Sequence, residues 1–245
     1  MNPLRCPVVE LRQYTLHPGQ RDVLIDLFDR EFVESQEDAG ATLLGQFRDL
    51  DDPDRFVWLR GFDDMRRRTE ALESFYGGPV WRAHRDEANA TMVDSDDVLL
   101  LRPASPEGGF PVPVGARPAP GEPAPRSPSS FLATVWYGRG PFDAAFVEFF
   151  ERRVRPVLAE TGCEPLAYLQ SEHAENTFPA LPVRTNEEVF VWFARSADEG
   201  RMDDHLKRLE HSERWREEVL PTLSERWARA PQQLRLTPTG RSALR

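Results

Sequence analysis

The chain has 245 residues and a formal net charge of −10, with 40% hydrophobic and 29% charged residues. That is enough apolar material for one large core or two small ones and too much for full-length disorder. The acidic balance argues against a nucleic-acid partner and against anchorage to anionic lipid. No apolar run approaches the roughly 20 residues needed to cross a bilayer, and residues 1–7 lack the apolar stretch of a secretory signal. Cys6 and Cys163 have no metal-like spacing and form no disulfide framework. A cytoplasmic protein without a membrane or nucleic-acid partner is the expectation.

Val8–Tyr14 is short and rich in β-formers, and Pro18-Gly19 punctuates it. Leu24, Leu27, Phe28 and Phe32 recur at helical spacing, and Gly40 ends that helix. Thr42–Arg48 and Arg55–Arg60 read as a hairpin around Asp51-Asp52-Pro53-Asp54. Asp63–Phe75 and Pro79–Ala90 read as two helices broken at Gly77-Gly78, and Val98–Leu101 as a closing strand. Pro then recurs through residues 103–130 with Gly, Ala and Ser between, the composition of a semi-extended linker. Beyond it come Leu132–Tyr137, a helix carrying Phe142, Phe146, Phe149, Phe150, Val154, Val157 and Leu158, strands Leu166–Ser171 and Val189–Ala194, helices over Met202–Leu209 and Glu213–Trp227, and Gln233–Thr237. Pro156 is expected to kink or locally unwind its helix. The expected domains are residues 1–102 and 131–245, joined by the linker.

The two halves resemble each other. Phe56-Val57-Trp58-Leu59 returns 134 residues on as Phe190-Val191-Trp192-Phe193, and Trp81 returns as Trp215 at the same shift. Gly78-Pro79 and Ser212-Glu213 are matching helix starts. Earlier, Tyr14 aligns with Tyr137 at a shift of 123 and Phe28 with Phe150 at 122. The difference places an extra loop between Glu172 and Asn186. Each half thus reads as a β-α-β-β-α-β unit of the ferredoxin-like type, an α+β fold. One such unit leaves a bare apolar sheet face, and two can bury those faces against each other. The expectation is a pseudo-dimeric α/β barrel within one chain.

Val9-Glu10-Leu11-Arg12-Gln13-Tyr14-Thr15, Phe47-Arg48, Phe56-Val57-Trp58 and Tyr76–Trp81 resemble the NIPSNAP family, strongly over residues 8–102 and more weakly over 131–238. The resemblance implies the dimeric α/β-barrel superfamily. It implies little about chemistry, because that superfamily includes cofactor-free monooxygenases, isomerases and haem enzymes.

Glu10, Arg12 and Tyr14 alternate onto one face of the first strand, and Phe56, Trp58 and Arg60 share a face of another. Facing one cavity, they would bind an anionic aromatic or oxo substrate, with Arg12 clamping an anion and Tyr14 donating to a developing oxyanion. The plainer alternative is a buried Glu10–Arg12 ion pair. The second half aligns Ala133 and Val135 with Glu10 and Arg12, and keeps Tyr137. Its extra loop, Ser171–Arg184, carries His173, Phe178 and Arg184 and reads as a lid or as a long hairpin connection packed on the barrel end or on a partner subunit. Trp81 and His84 share a helix face. His84 is a candidate general base or axial haem ligand, or a half-buried helix histidine bonded to a carbonyl. His205 and His211 read as a solvated face. Trp58, Trp192, Trp81 and Trp215 read first as repeated core positions. No nucleotide, serine-hydrolase or zinc motif is present.

Three functions fit. One is a small-molecule enzyme or binding protein without a cofactor, with His84, Tyr14 and His173 as catalytic candidates and Glu10, Arg12, Trp58, Arg60, Trp81, Phe178 and Arg184 around the substrate. The others are a non-catalytic scaffold and a haem enzyme. Pairing into a homodimer is open, since the tandem repeat already closes the barrel.

Overall fold

Alternating side chains set the two faces of every strand. On β1 (Val8–Leu16), Val9 and Leu11 join one apolar cluster while Val8, Tyr14 and Leu16 join another on the opposite face. Seven further strands repeat this division: β2 (Thr42–Asp49), β3 (Arg55–Phe62), β4 (Met92–Pro103), β5 (Ser130–Gly138), β6 (Pro165–Ser171), β7 (Glu188–Ser196) and β8 (Gln232–Pro238). In this computed structural model, which describes residues 6–111, 117–122 and 127–245, the strands close into a barrel in the order β1-β3-β2-β8-β5-β7-β6-β4. Neighbouring strands are antiparallel throughout. The halves meet at two short seams: Phe47, Arg48 and Asp49 of β2 lie opposite Pro238, Thr237 and Leu236 of β8, and Leu101–Pro103 of β4 opposite Ser171–Leu169 of β6. The barrel expected from the repeat is the barrel observed.

Its interior is filled. Leu11, Phe47, Val57 and Leu59 from the first half meet Phe131, Val135, Val191 and Phe193 from the second. Burial of this kind contributes about 25 cal/mol per Å² of apolar surface removed from water, which makes the barrel interior the main source of cohesion between the halves. Two contributions were not legible in the sequence. Phe110, from the Pro-rich segment, is 2% exposed, with its ring centroid 5.1 Å from that of Phe193. Residues 239–245 fold back over β2: Thr239 N–H donates to Gln46 O at 2.8 Å, Leu244 N–H donates to Leu44 O at 3.0 Å, and the Leu244 side chain joins the interior.

Helices cover the outer faces. The first helix of each half spans residues 21–38 and 144–161, and each widens into one π-helical turn, Phe28–Phe32 and Phe150–Val154. The first of these turns has no proline, so the widening does not require one; in the second, Pro156 lies just beyond the widened turn, where local unwinding is expected. Helix Met65–Tyr76 is capped by Asp64, whose carboxylate accepts Arg67 N–H at 2.7 Å, and the matching helix Glu199–His211 is capped by Asp198, accepting Arg201 N–H at 2.8 Å. Gly77-Gly78 separates Met65–Tyr76 from Pro79–Thr91, as expected; a Cβ on Gly78 would lie 2.8 Å from Ser74 O.

Candidate functional site

Register decides which side chains share the space between sheet and helices. Arg12 lies opposite Trp58, and Thr134 lies opposite Trp192. Trp58 and Trp192 are equivalent in the repeat, so the counterparts of Glu10, Arg12 and Tyr14 are Leu132, Thr134 and Trp136. The expected alignment with Ala133, Val135 and Tyr137 is one residue off; those three point into the barrel interior. A one-residue slip in a strand exchanges its faces.

Glu10, Arg12, Arg60 and Arg68 are each no more than 1% exposed. Glu10 Oε2 accepts Arg12 Nη1 at 2.8 Å and Arg60 Nε at 2.8 Å, and Oε1 accepts Arg68 Nε at 2.6 Å. Arg60 Nη2 is also 2.8 Å from Oε2, though its N–H is not aligned on that oxygen. The cluster extends outward: Arg12 Nε donates to the Tyr14 hydroxyl at 3.0 Å, Arg60 Nη1 to Gln36 Oε1 at 2.8 Å, and Arg68 Nη1 to Asn176 Oδ1 at 3.0 Å. Burial by itself would raise the Glu10 pKa; the charges of Arg60, Arg12 and Arg68 outweigh it and hold the carboxyl well below the usual carboxylate range. Burial also raises the Tyr14 phenol above its ordinary value, against the opposing pull of Arg12, so Tyr14 keeps its proton at neutral pH. Among the described residues these three guanidinium groups share one carboxylate partner, which leaves two buried positive charges in excess.

The second half builds the same space without charge. Its positions equivalent to Glu10, Arg12, Gln36, Arg60 and Arg68 hold Leu132, Thr134, Leu158, Ala194 and Met202. The fold therefore does not require the cluster. Apolar residues commonly replace buried ion networks with no loss of stability, or a gain, so the charges point to a role other than packing.

Beside the cluster, Tyr14, Gln36, Trp58, Tyr76 and Trp81 wall a cavity of about 30 Å³, room for a single water. Trp58 Nε1 has no partner among the described residues, but neither has Trp192 Nε1 at the equivalent position, so this is a property of the repeated core. The long β6–β7 connection crosses onto this half. Glu172 N–H donates to Leu100 O at 2.9 Å and Arg184 N–H to Val98 O at 2.8 Å. Between those points Phe178 stacks on Tyr76, centroids 6.0 Å apart and planes 27° apart, and Thr177 meets Thr69. The two features the sequence marked separately, the polar first strand and the second-half loop, meet at one place.

Residues 9–106 match the NIPSNAP family. The NIPSNAP match thus falls on the half that holds the charge cluster. No curated protein sequence matches the chain. Three solved structures cover nearly all of it: an anthrone oxidase-like protein (TM-score 0.59, 13% identity, 96% of this chain and 93% of that one), a candidate monooxygenase of Fusobacterium nucleatum (0.56, 9%, 95% and 92%) and a candidate monooxygenase of Lactobacillus acidophilus (0.51, 13%, 97% and 98%). At these identities the likeness is one of fold.

Glu10, Arg12, Tyr14, Trp58, Arg60, Trp81 and Phe178, all singled out from sequence, converge in the NIPSNAP half. Three others do not. His84 is partly exposed on the outside of the Pro79–Thr91 helix, with Nε2 3.6 Å from Glu31 and Nδ1 3.7 Å from Glu87. His173 is more than half exposed, 3.5 Å from Glu188. Arg184 stands at the barrel mouth, bonded to Asp97 at 2.9 Å and to Glu187, beside an open cleft of about 560 Å³ that it shares with Tyr137 and Arg229. Arg68, Gln36, Tyr76 and Asn176 were missed. Arg68 was hidden in the run Arg66-Arg67-Arg68, although it falls at helical spacing with Ala71, Leu72 and Phe75, all buried. His205, expected on a solvated face, is fully buried at helical spacing with Met202 and Leu209, and burial pushes its pKa down.

The residues that wall this cavity include no histidine, so they offer a haem iron no imidazole ligand. Among the described residues no cluster of His, Cys, Asp and Glu could hold a metal ion, and no helix is long and apolar enough to cross a membrane.

Proposed function

We propose that the NIPSNAP half binds a small organic anion between its sheet and helices and acts on it without a cofactor. The observation that carries this reading is the buried cluster of three arginines on one glutamate, present in one half and replaced by Leu132, Thr134, Ala194 and Met202 in the other. Two uncompensated buried charges attract an anion strongly where water is scarce. Tyr14, its oxygen engaged by Arg12 and its proton retained, is a hydrogen-bond donor for an oxyanion. The aromatic walls suit a flat guest.

The chemistry that uses this arrangement is one in which negative charge builds on substrate oxygen. Oxygenation of an electron-rich enolate or phenolate is such a reaction, and the names of the fold neighbours support it. A CH2 carbon that becomes C=O takes one atom of dioxygen and releases the other as water, so neither a metal nor an outside reductant is consumed. A 30 Å³ cavity admits no ring, so the Phe178 loop must move for entry. The small cavity also favours a second reading, a scaffold that binds no small molecule.

Titration of the protein with 4-nitrophenolate, read by quenching of Trp58 and Trp81, and incubation with anthrone in air, read as anthraquinone, test these readings. Saturable binding that is lost in Arg12→Gln supports the site, and anthraquinone formation above the protein-free rate supports the reaction. Binding that is absent, or unchanged in Arg12→Gln, leaves the scaffold.

A further inference from the structure

The β6–β7 connection does more than cover the cluster. Arg68 is 0% exposed and spends its Nε on Glu10. Its outer edge, Nη1 and Nη2, faces only one acceptor among the described residues, the neutral amide oxygen Asn176 Oδ1, 3.0 Å from Nη1; Nη2 has none. A buried guanidinium with an open donor is costly, and that edge is the fork that a carboxylate fills with two parallel bonds. Asn176 therefore accepts from only one of the two nitrogens on that edge, and without charge.

Asn176 also organises the loop that carries it. Its Oδ1 accepts Phe178 N–H at 3.2 Å and its Nδ2 donates to Leu181 O at 2.9 Å, so the residue that touches Arg68 also sets the turn that presses Phe178 on Tyr76. Besides Asn176, the contacts of this turn with the NIPSNAP half include the Thr177–Thr69 hydroxyl pair, a long hydrogen bond of 3.5 Å from the Thr177 hydroxyl to Met65 O, and apolar packing by Phe178 and Leu181.

Resting on the anion-binding reading above, we propose that the Nη1/Nη2 edge of Arg68 is the docking point for a carboxylate of the guest, and that Asn176 is a built-in placeholder which the carboxylate displaces. The loop then acts as a strap, latched when the site is empty and released when an acid takes the fork. The guest is accordingly an organic acid, its ring toward the aromatic wall. The strap comes from the half that has no charge cluster, so the site is incomplete without both halves. Met202 stands where Arg68 would be in the second half, and no counterpart of the strap lies over it, because the β2–β3 connection spans only residues 50–54.

Benzoate is the probe, titrated into the full chain and read by tryptophan quenching, with 4-nitrophenolate in parallel. Asn176→Ala removes the competitor and is expected to bind benzoate roughly tenfold tighter than wild type, the worth of one hydrogen bond to a charged group. Asn176→Asp places a permanent carboxylate on the fork and is expected to block benzoate while melting no lower than wild type, which separates blocking from misfolding. Arg68→Met, the residue the second half already tolerates, is expected to abolish benzoate binding. Limited proteolysis within residues 172–187 is expected to speed up when benzoate is bound. If benzoate binds wild type and Asn176→Asp equally, or if 4-nitrophenolate binds and benzoate binds neither wild type nor Asn176→Ala, the placeholder is overturned and the anion site stands. If neither probe binds any variant, both fall.

Discussion

Arg12 holds the hydroxyl oxygen of Tyr14 at 3.0 Å from two residues back on the same strand face. The tyrosine thus receives a charged hydrogen bond and keeps its own proton to donate, an arrangement that points the phenol rather than merely burying it. Tyr14→Phe removes the donor but keeps the ring against Trp58, 5.8 Å away. The variant is expected to fold, to melt slightly lower because Arg12 Nε loses its partner, and to bind 4-nitrophenolate roughly tenfold more weakly. Titration and a thermal melt of the same sample check both.

The internal comparison yields a stability test. Glu10→Gln alone leaves three buried guanidinium groups without their carboxylate and is expected to cost about 3–5 kcal/mol. Replacing the whole set with the second half's residues (Glu10→Leu, Arg12→Thr, Arg60→Ala, Arg68→Met) is expected to recover most or all of that stability and to abolish anion binding. Urea melts of the two variants decide it. A quadruple variant less stable than Glu10→Gln would mean that the cluster serves the fold.

One carboxyl gives a pH dependence of unusual sign. Burial pushes the Asp29 pKa from its ordinary 3.8 to about 6, although Arg241 and the Thr239 hydroxyl at 3.5 Å oppose it. The folded state thus holds this proton more tightly than the unfolded chain. The stabilisation is fully present below 3.8 and is lost as pH rises through about 6. Asp29→Asn is expected to raise the melting temperature at pH 7–8 and to leave it nearly unchanged at pH 4. Melts across that range show whether the difference between the two proteins opens between those limits.

Phe110 reaches the barrel interior from a segment whose composition predicts an unstructured connection. Phe110→Ala is expected to cost about 3–5 kcal/mol, as for any fully buried phenylalanine. A loss below about 1 kcal/mol, measured by urea unfolding, would place the segment outside the core.

What could be read from sequence follows from where the signal lies. The Phe56–Leu59 and Phe190–Phe193 repeat fixed the equivalent strands, and the helix starts at Pro79 and Glu213 fixed the equivalent helices, because duplicated cores keep their largest side chains. The face assignment of β5 failed because Tyr137 looked like Tyr14; the shift of 122 given by Phe28 and Phe150, applied to the strand, would have named Trp136. Arg68 escaped because a charge within a run of arginines resembles a solvated helix face, and only its spacing to Ala71, Leu72 and Phe75 betrays it. The return of residues 239–245 over β2 has no periodicity to read: its hydrogen bonds are made to the backbone of Leu44 and Gln46, far back in the chain, and Leu244 is the one large apolar residue in a mostly polar tail.

The closed strand order has a consequence for how such a molecule can change. When two identical chains form a barrel, every substitution occurs twice, once on each side of the symmetry axis, so a residue that improves one site alters its twin as well. Tying the copies into one polypeptide lifts that constraint. One copy can keep a costly charged interior while the other becomes oily and robust and lends a long loop across the seam. Division of labour of this kind is open to a fused pair and closed to a symmetric one.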